Sequence, residues 1–315
     1  MKKRSSLLAV FALFGFALPV MAAPVEVAVD DRPVLEGEVD ADEAATLDEE
    51  GGWTFGGSVW VDTRTKYVTY GLVDNPHAIL VPGVELSLSN DEYFSLAVGV
   101  ESVFDTTNYG AKDGGYNDRR WKYMELDPYI TLSRSWGLWN ETSLYTALTY
   151  FYEYHPRSCT KPDKEYNYPD AQYLTLKVGL EDNFLNPALS LEYQLTGADW
   201  GDDWSDGKGA IYLSFDISHE FDLSDKLGLE NGALCLTPKF GIAAANKDRN
   251  MCDLGIDDSL SFRDAYARLE LAYTPVECFS IKPYVSCHYQ LDADTREEVD
   301  DDFVAYAGLG ISYDF

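Results

Sequence analysis

An all-β chain, closed into an antiparallel transmembrane barrel of about twelve strands, is predicted by three observations. From Trp53 to Phe315, apolar residues recur at every second position in about twelve segments. A period of two gives a strand one apolar and one polar face. Charged residues fall on the polar face of nearly every segment, which suits a wet interior behind an apolar exterior. The connections alternate in length, so that an even number of strands places short periplasmic turns at one end and long extracellular loops at the other.

The chain before the first segment speaks to location. Residues 1–22 begin with Lys2, Lys3 and Arg4, continue as an apolar run from Leu7 to Val20 and end in small residues, the pattern of a secretory signal peptide. The run is shorter than the ~20 residues a membrane-spanning helix needs. Removing it lowers the basic count from 24 to 21 against 54 acidic residues, a net charge of −33. A field that acidic excludes nucleic acid as a partner. Residues 23–51 are acidic and contain no aromatic residue, so this stretch is read as a disordered periplasmic leader. Residues 52–315 are assigned to the barrel.

The segments follow in order. Trp53, Phe55, Val59 and Val61 share one face of the first, and Leu80, Val84, Leu86 and Leu88 one face of the second. Phe94 to Val100 and Met124 to Leu132 give the third and fourth, and the aromatic stretch Leu138 to Tyr152 the fifth. The sixth, seventh and eighth carry Leu174 to Leu180, Leu189 to Leu195 and Ile211 to Ile217. The ninth to eleventh lie near Leu234 to Ala244, Ala265 to Tyr273 and Phe279 to Tyr289. Gaps such as Ser89-Asn-Asp-Glu and Ser135-Trp-Gly are turn-like, and those after the odd-numbered segments are long and rich in Gly, Asp, Asn and Pro. The connection around Leu223 to Asn231 breaks this rule mildly. Tyr and Trp gather at segment ends (Trp121, Tyr123, Trp136, Trp139, Tyr150, Tyr152, Tyr154, Tyr273, Tyr289), where interfacial girdles need an apolar ring with a polar tip.

The twelfth segment, Phe303 to Phe315, alternates to its last residue. With Leu309, Ile311, Tyr313 and Phe315 on one face, it resembles the closing strand of bacterial outer-membrane, porin-like barrels. That resemblance implies recognition by the barrel assembly machinery. Thr65 to Gly71, followed by Pro76 and Leu80 to Val84, is similar to the first hairpin of a group of uncharacterised outer-membrane barrels, in which a Tyr-x-x-x-Gly turn leads into a second strand. This implies a barrel and no substrate.

Alternation assigns residues to the lumen. The acidic set is Asp62, Glu85, Glu101, Glu125, Asp127, Glu141, Glu181, Glu192, Asp216, Glu220, Glu270 and Asp314, and the basic set Arg64, Lys177, Lys239, Arg268 and Lys282. Tyr129, Tyr145, Tyr173, Tyr212 and Tyr284 also face inward, placed either to stack a passing sugar or base ring or to pair with neighbouring charges and fill the space. Twelve strands tilted near 40° enclose a backbone radius of roughly 12 Å, which leaves a narrow passage. A lumen with this acidic balance is expected to pass small solutes such as ions, sugars or nucleosides, with a preference for cations. A closed structural or surface-interaction barrel and a membrane-embedded lipid hydrolase are the competing readings.

Chemistry beyond conduction has few candidates. Ser286 and His288 share a face but stand roughly 7 Å apart along a strand, outside hydrogen-bond reach. The five cysteines (Cys159, Cys235, Cys252, Cys278, Cys287) are odd in number and show no metal-binding spacing, and Cys159 with Cys252 is the pair to test for a disulfide. Asp199, Asp202, Asp203 and Asp206 form a weak cation-loop candidate that reads better as a solvated acidic loop bridged to lipopolysaccharide phosphates. The run Asp292 to Asp302 reads the same way. No cofactor is expected, and the partners expected are outer-membrane lipid, lipopolysaccharide and small solutes.

Overall fold

The computed structural model describes residues 52–90, 93–106, 122–138, 142–155, 170–196, 207–230, 232–257, 259–299 and 301–315. Glu141, Cys159, Trp121, Trp139 and the loop Asp199 to Asp206 lie outside them. In chain order come β1 (Thr54–Arg64), β2 (Tyr67–Thr69), β3 (Leu72–Asn75), β4 (Ile79–Ser89), β5 (Ser95–Asp105), β6 (Lys122–Gly137), β7 (Ser143–Glu153) and β8 (Ala171–Glu181). They are followed by β9 (Ala188–Thr196), β10 (Ile211–Ser218), β11 (Phe221–Asp222), α1 (Ser224–Leu227), β12 (Leu234–Asn246), α2 (Lys247–Leu254), β13 (Leu260–Val276), β14 (Phe279–Gln290), α3 (Ala293–Glu298) and β15 (Phe303–Asp314).

Twelve of these strands close into one antiparallel wall. Its order is β1-β4-β5-β6-β7-β8-β9-β10-β12-β13-β14-β15, returning to β1. Every one of the twelve alternating segments becomes a wall strand. β2 and β3 form a separate hairpin, and β11 is a short extension beside β12. At the seam, Val59 faces Tyr313 and Val61 faces Ile311. Gly57 and Phe315 exchange both backbone hydrogen bonds, at 2.8 and 2.9 Å.

The two faces differ as the period of two requires. Val61, Leu86, Val98, Leu132, Leu148, Leu176, Phe215, Phe240 and Ile311 all point outward and are 39–56% exposed. A continuous apolar belt on every side has no counterpart on a soluble monomer, whose apolar patches are small. It matches a hydrocarbon solvent. Trp136, Tyr154, Tyr273, Tyr289 and Tyr313 are exposed on the same outer surface near strand ends.

Two of the described loops carry helices that their polar composition does not suggest. α2 starts where the Asn246 side chain accepts from the Arg249 amide and stops at Gly255 in a left-handed conformation. The acidic run after β14 holds α3, capped by Asp292 onto the Thr295 amide at 2.9 Å. Arg296 of α3 donates to the carbonyls of Gln290 and Leu291. The mild irregularity after β10 is the connection that carries β11 and α1.

Phe315 has a tight setting at the seam. A Cβ on Gly57 would stand 2.7 Å from the Glu85 carbonyl and 2.8 Å from the Phe315 ring. Gly57→Val is therefore expected to cost about 1–3 kcal/mol through overpacking and to open the seam. Deleting Phe315 removes two backbone hydrogen bonds worth about 1 kcal/mol each. Both variants should lower the heat-modifiable, folded fraction recovered in membranes, and normal levels of folded barrel would contradict this account of the seam.

Candidate functional site

The inner wall carries nearly all of the expected lumen residues. Asp62, Arg64, Glu85, Glu101, Glu125, Asp127, Tyr129, Tyr145, Tyr173, Lys177, Glu181, Glu192, Tyr212, Asp216, Lys239, Arg268, Glu270, Lys282, Tyr284 and Asp314 lie on strands between outward-facing neighbours, with the less exposed face inward. Glu220 is the exception: it lies past the end of β10, exposed in the connection to β11. The tyrosines lie along the wall. Tyr129 covers Gly99 and donates to Glu85 Oε2 at 2.7 Å, while Tyr266 covers Gly241 and donates to Asp216 Oδ2 at 3.3 Å. Tyr284 lies over Gly308, and the Trp60 ring over Gly83. A Cβ at any of these glycines would fall within 2.3 Å of the ring, so the missing side chain is what lets the ring lie flat. Ion pairs fill the wall between them: Lys239 with Asp216 at 3.5 Å and Arg268 with Glu270 at 2.5 Å, the Arg268 guanidinium also lying 3.9 Å from the centre of the Tyr284 ring.

The hairpin β2–β3 turns into the barrel. Tyr67 packs with Ile79, Val81 and Val103, and Val68 packs with Tyr284, Val304 and Tyr306. These partners are inward-facing wall residues, so the first arm of the hairpin is buried on the inside. Its tip has positive φ at both central residues, Tyr70 (50°) and Gly71 (78°), as a type I′ turn requires. Tyr70 Oη donates to Glu192 Oε1 on β9 at 2.6 Å. In the twelve-strand ring β9 stands six places from β1, so this bond reaches the opposite wall. The Gly71 carbonyl accepts from Gln290 Nε2 at 2.6 Å, and a Cβ on Gly71 would meet Asp264 at 2.9 Å.

A charged socket receives that tip. The Arg249 guanidinium of α2 lies 3.5 Å from the centre of the Tyr70 ring and pairs with Glu192 at 3.7 Å and Asp253 at 3.2 Å. Arg263 holds Asp253 at 3.0 Å from the other side. Burial pushes the Tyr70 hydroxyl well above the ordinary tyrosine range, an effect Arg249 opposes and Glu192 adds to, so Tyr70 remains a donor. Tyr212 donates to Asp264 Oδ1 at 2.7 Å, and Asp264 Oδ2 meets His288 Nδ1 at 2.7 Å. The His288 ring stacks between Tyr266 and Tyr306 and is 1% exposed, while Ser286 Oγ donates to the Ala267 carbonyl. Ser286 and His288 thus belong to the packed wall and offer no nucleophile–base contact. Sequence reasoning missed the socket residues Arg249, Arg263, Asp264 and Gln290. The available signal was Ile79, Val81, Val103 and Val304: apolar residues at wet-face positions near one end of the barrel imply something packed upon them.

A second cluster stands near the first arm. Tyr67 Oη donates to Glu125 Oε2 at 2.6 Å, and His155 Nε2 lies 3.8 Å from Glu125 Oε1 and 3.2 Å from Glu153 Oε1. Burial alone would lower the His155 imidazole, but the hydrogen bonds to the two carboxylates push it up to about 10. Cys252 lies on α2, beside Gly207 and Gln194.

A closed antiparallel wall, apolar outside and charged inside, defines the outer-membrane class of β-barrel. No protein-family model and no curated protein matches the chain. Among solved structures, it is similar to an outer-membrane channel from Pseudomonas putida F1 over 88% of this chain and 100% of that one, at 11% identity and a TM-score of 0.47. It is also similar to OprB of Pseudomonas putida (84% and 94% covered, 10% identity, TM-score 0.36) and to outer membrane phospholipase A of Escherichia coli (88% and 94% covered, 9% identity, TM-score 0.39). These likenesses concern fold alone, and a fold does not choose an activity.

Removing the Arg249 charge should loosen the tip. Arg249→Met deprives Glu192 of its cation and Tyr70 of its guanidinium, a loss of about 2 kcal/mol. Amide hydrogen exchange in residues 67–75 should then run roughly 30-fold faster, with the wall strands unchanged. Unaltered exchange in the hairpin would contradict the docking described.

Proposed function

We propose that the barrel sits in the bacterial outer membrane, where its strands contact lipid and lipopolysaccharide, and acts as a passive channel for small solutes that favours cations. The observation carrying this reading is the charge of the inner wall. Carboxylates from β1, β4, β5, β6, β7, β8, β9, β10, β13 and β15 face inward, and the inward cations are fewer, with Lys239 and Arg268 paired to Asp216 and Glu270. Such a lumen attracts cations and repels anions. Tyrosines lying flat on glycines leave the centre of the lumen to the hairpin, which makes β2–β3 the constriction.

The same hairpin favours a second reading, a barrel kept closed by its own inserted loop. A hydrolase draws no support from Ser286 and His288, both packed in the wall. Planar-bilayer recordings separate the first two readings. The channel reading expects conductance from the intact protein, a reversal potential on the cation side in a potassium chloride gradient, and a several-fold larger conductance when residues 67–75 are replaced by a short Gly-Ser linker. Conductance only in the replaced variant would favour the closed barrel. No conductance from either protein would end the channel reading.

A further inference from the structure

The cluster beside the hairpin has a geometry that its hydrogen bonds leave incomplete. β5 and β6 pair Glu101 with Asp127 and Val103 with Glu125. On the other side, Leu126 and Tyr154 exchange backbone hydrogen bonds at 2.9 and 3.0 Å, in the register that already pairs Tyr129 with Phe151. That register sets Asp127 opposite Glu153 and Glu125 opposite His155. Three carboxylates, Glu101, Asp127 and Glu153, therefore stand side by side across three strands. Like charges directly opposite one another in a sheet are destabilising.

Asp127 makes the need for a cation acute. It is 0% exposed, and neither of its carboxylate oxygens has a hydrogen-bond partner among the described residues. A buried carboxylate in that condition requires a counter-charge or a proton. Glu125, Glu153 and His155 present one donor atom each, all within 4.8 Å of one another. Two ligands of a tetrahedral ion with bonds of 2.0–2.1 Å stand about 3.3 Å apart, and His155 Nε2 lies 3.2 and 3.8 Å from the two glutamate oxygens.

We propose that Glu125, Glu153 and His155, with Asp127 beside them, bind one divalent transition-metal ion on the lumen wall, the ion displacing the proton that His155 Nε2 directs at the two glutamates. The imidazole suits zinc, and cobalt as its spectroscopic stand-in, over calcium and magnesium, which prefer an all-oxygen shell. The Tyr67 hydroxyl, donating to Glu125 Oε2, fixes the orientation of that carboxylate. Since Tyr67 belongs to the hairpin, the ion also stiffens the root of the inserted segment. The site stands whether or not the lumen conducts, because binding is read directly.

The test uses the full chain, purified in detergent and stripped with a chelator, titrated with zinc by calorimetry and with cobalt by absorption. About one equivalent is expected to bind, with a cobalt spectrum of nitrogen and oxygen ligands and no thiolate charge-transfer band from the cysteines. His155→Gln and Glu153→Gln should each weaken affinity at least tenfold, with folding checked by heat-modifiable migration, and millimolar calcium should not compete. Absence of binding would overturn the proposal, meaning that a proton alone neutralises the row. So would affinity unchanged in folded His155→Gln, or a thiolate band in the cobalt spectrum. Should both variants fail to fold, the wild-type cobalt spectrum decides by itself.

Discussion

Everything in this structure depends on the hydrogen-bond ladder having no edge. In hydrocarbon an unpaired backbone amide or carbonyl costs several kcal/mol, so a sheet can live there only if its first and last strands meet. β1 and β15 do so in register, down to the reciprocal bonds between Gly57 and Phe315. Once the ring is closed, the period of two sends alternate side chains to two different solvents. The outward set must be apolar, and the inward set is free to be charged.

Closure at twelve strands creates a second constraint. The enclosed space is too wide for wall side chains alone to fill, and here the Trp60, Tyr129, Tyr266 and Tyr284 rings lie flat over glycines of the adjacent strands. The chain's own hairpin occupies the middle. It is anchored at the root by apolar packing of Tyr67 and Val68, and at the tip by charge-assisted contacts among Tyr70, Glu192 and Arg249. Two anchors of different chemistry on opposite walls give the insert one position. Asp264 and His288, held by Tyr212 and stacked tyrosines, form part of the seat for the tip. This explains why a serine and a histidine on one strand face serve packing.

The electrostatics of the lumen are uneven. Lys239, Arg268 and Arg249 answer particular carboxylates in the wall and socket. Along β5, β6 and β7 the carboxylates accumulate, and His155 is the group that ion-pairs with Glu125 and Glu153 there. One wall thus combines concentrated negative charge with a nearby root of the inserted hairpin. The proposed conduction and the proposed cation site both draw on that arrangement.

Local pattern determined the wall. Each of the twelve segments carries its own alternation, and loop lengths order them, so strand identity, facing and closure were legible from Trp53 to Phe315. The α2 boundaries were also written in the chain, as Asn246 and Gly255, though hidden by the loop's polar composition. The hairpin's destination was not legible. β2 and β3 are only three and four residues long, and their partners lie 58, 122 and 219 positions away, at Glu125, Glu192 and Gln290. Glu220 shows the same limit: alternation ran on past the point where β10 stops. Facing is set by the residue and its neighbours, whereas which side chains meet across a lumen is set by the curvature and register of the closed ring, and only the tertiary structure supplies those.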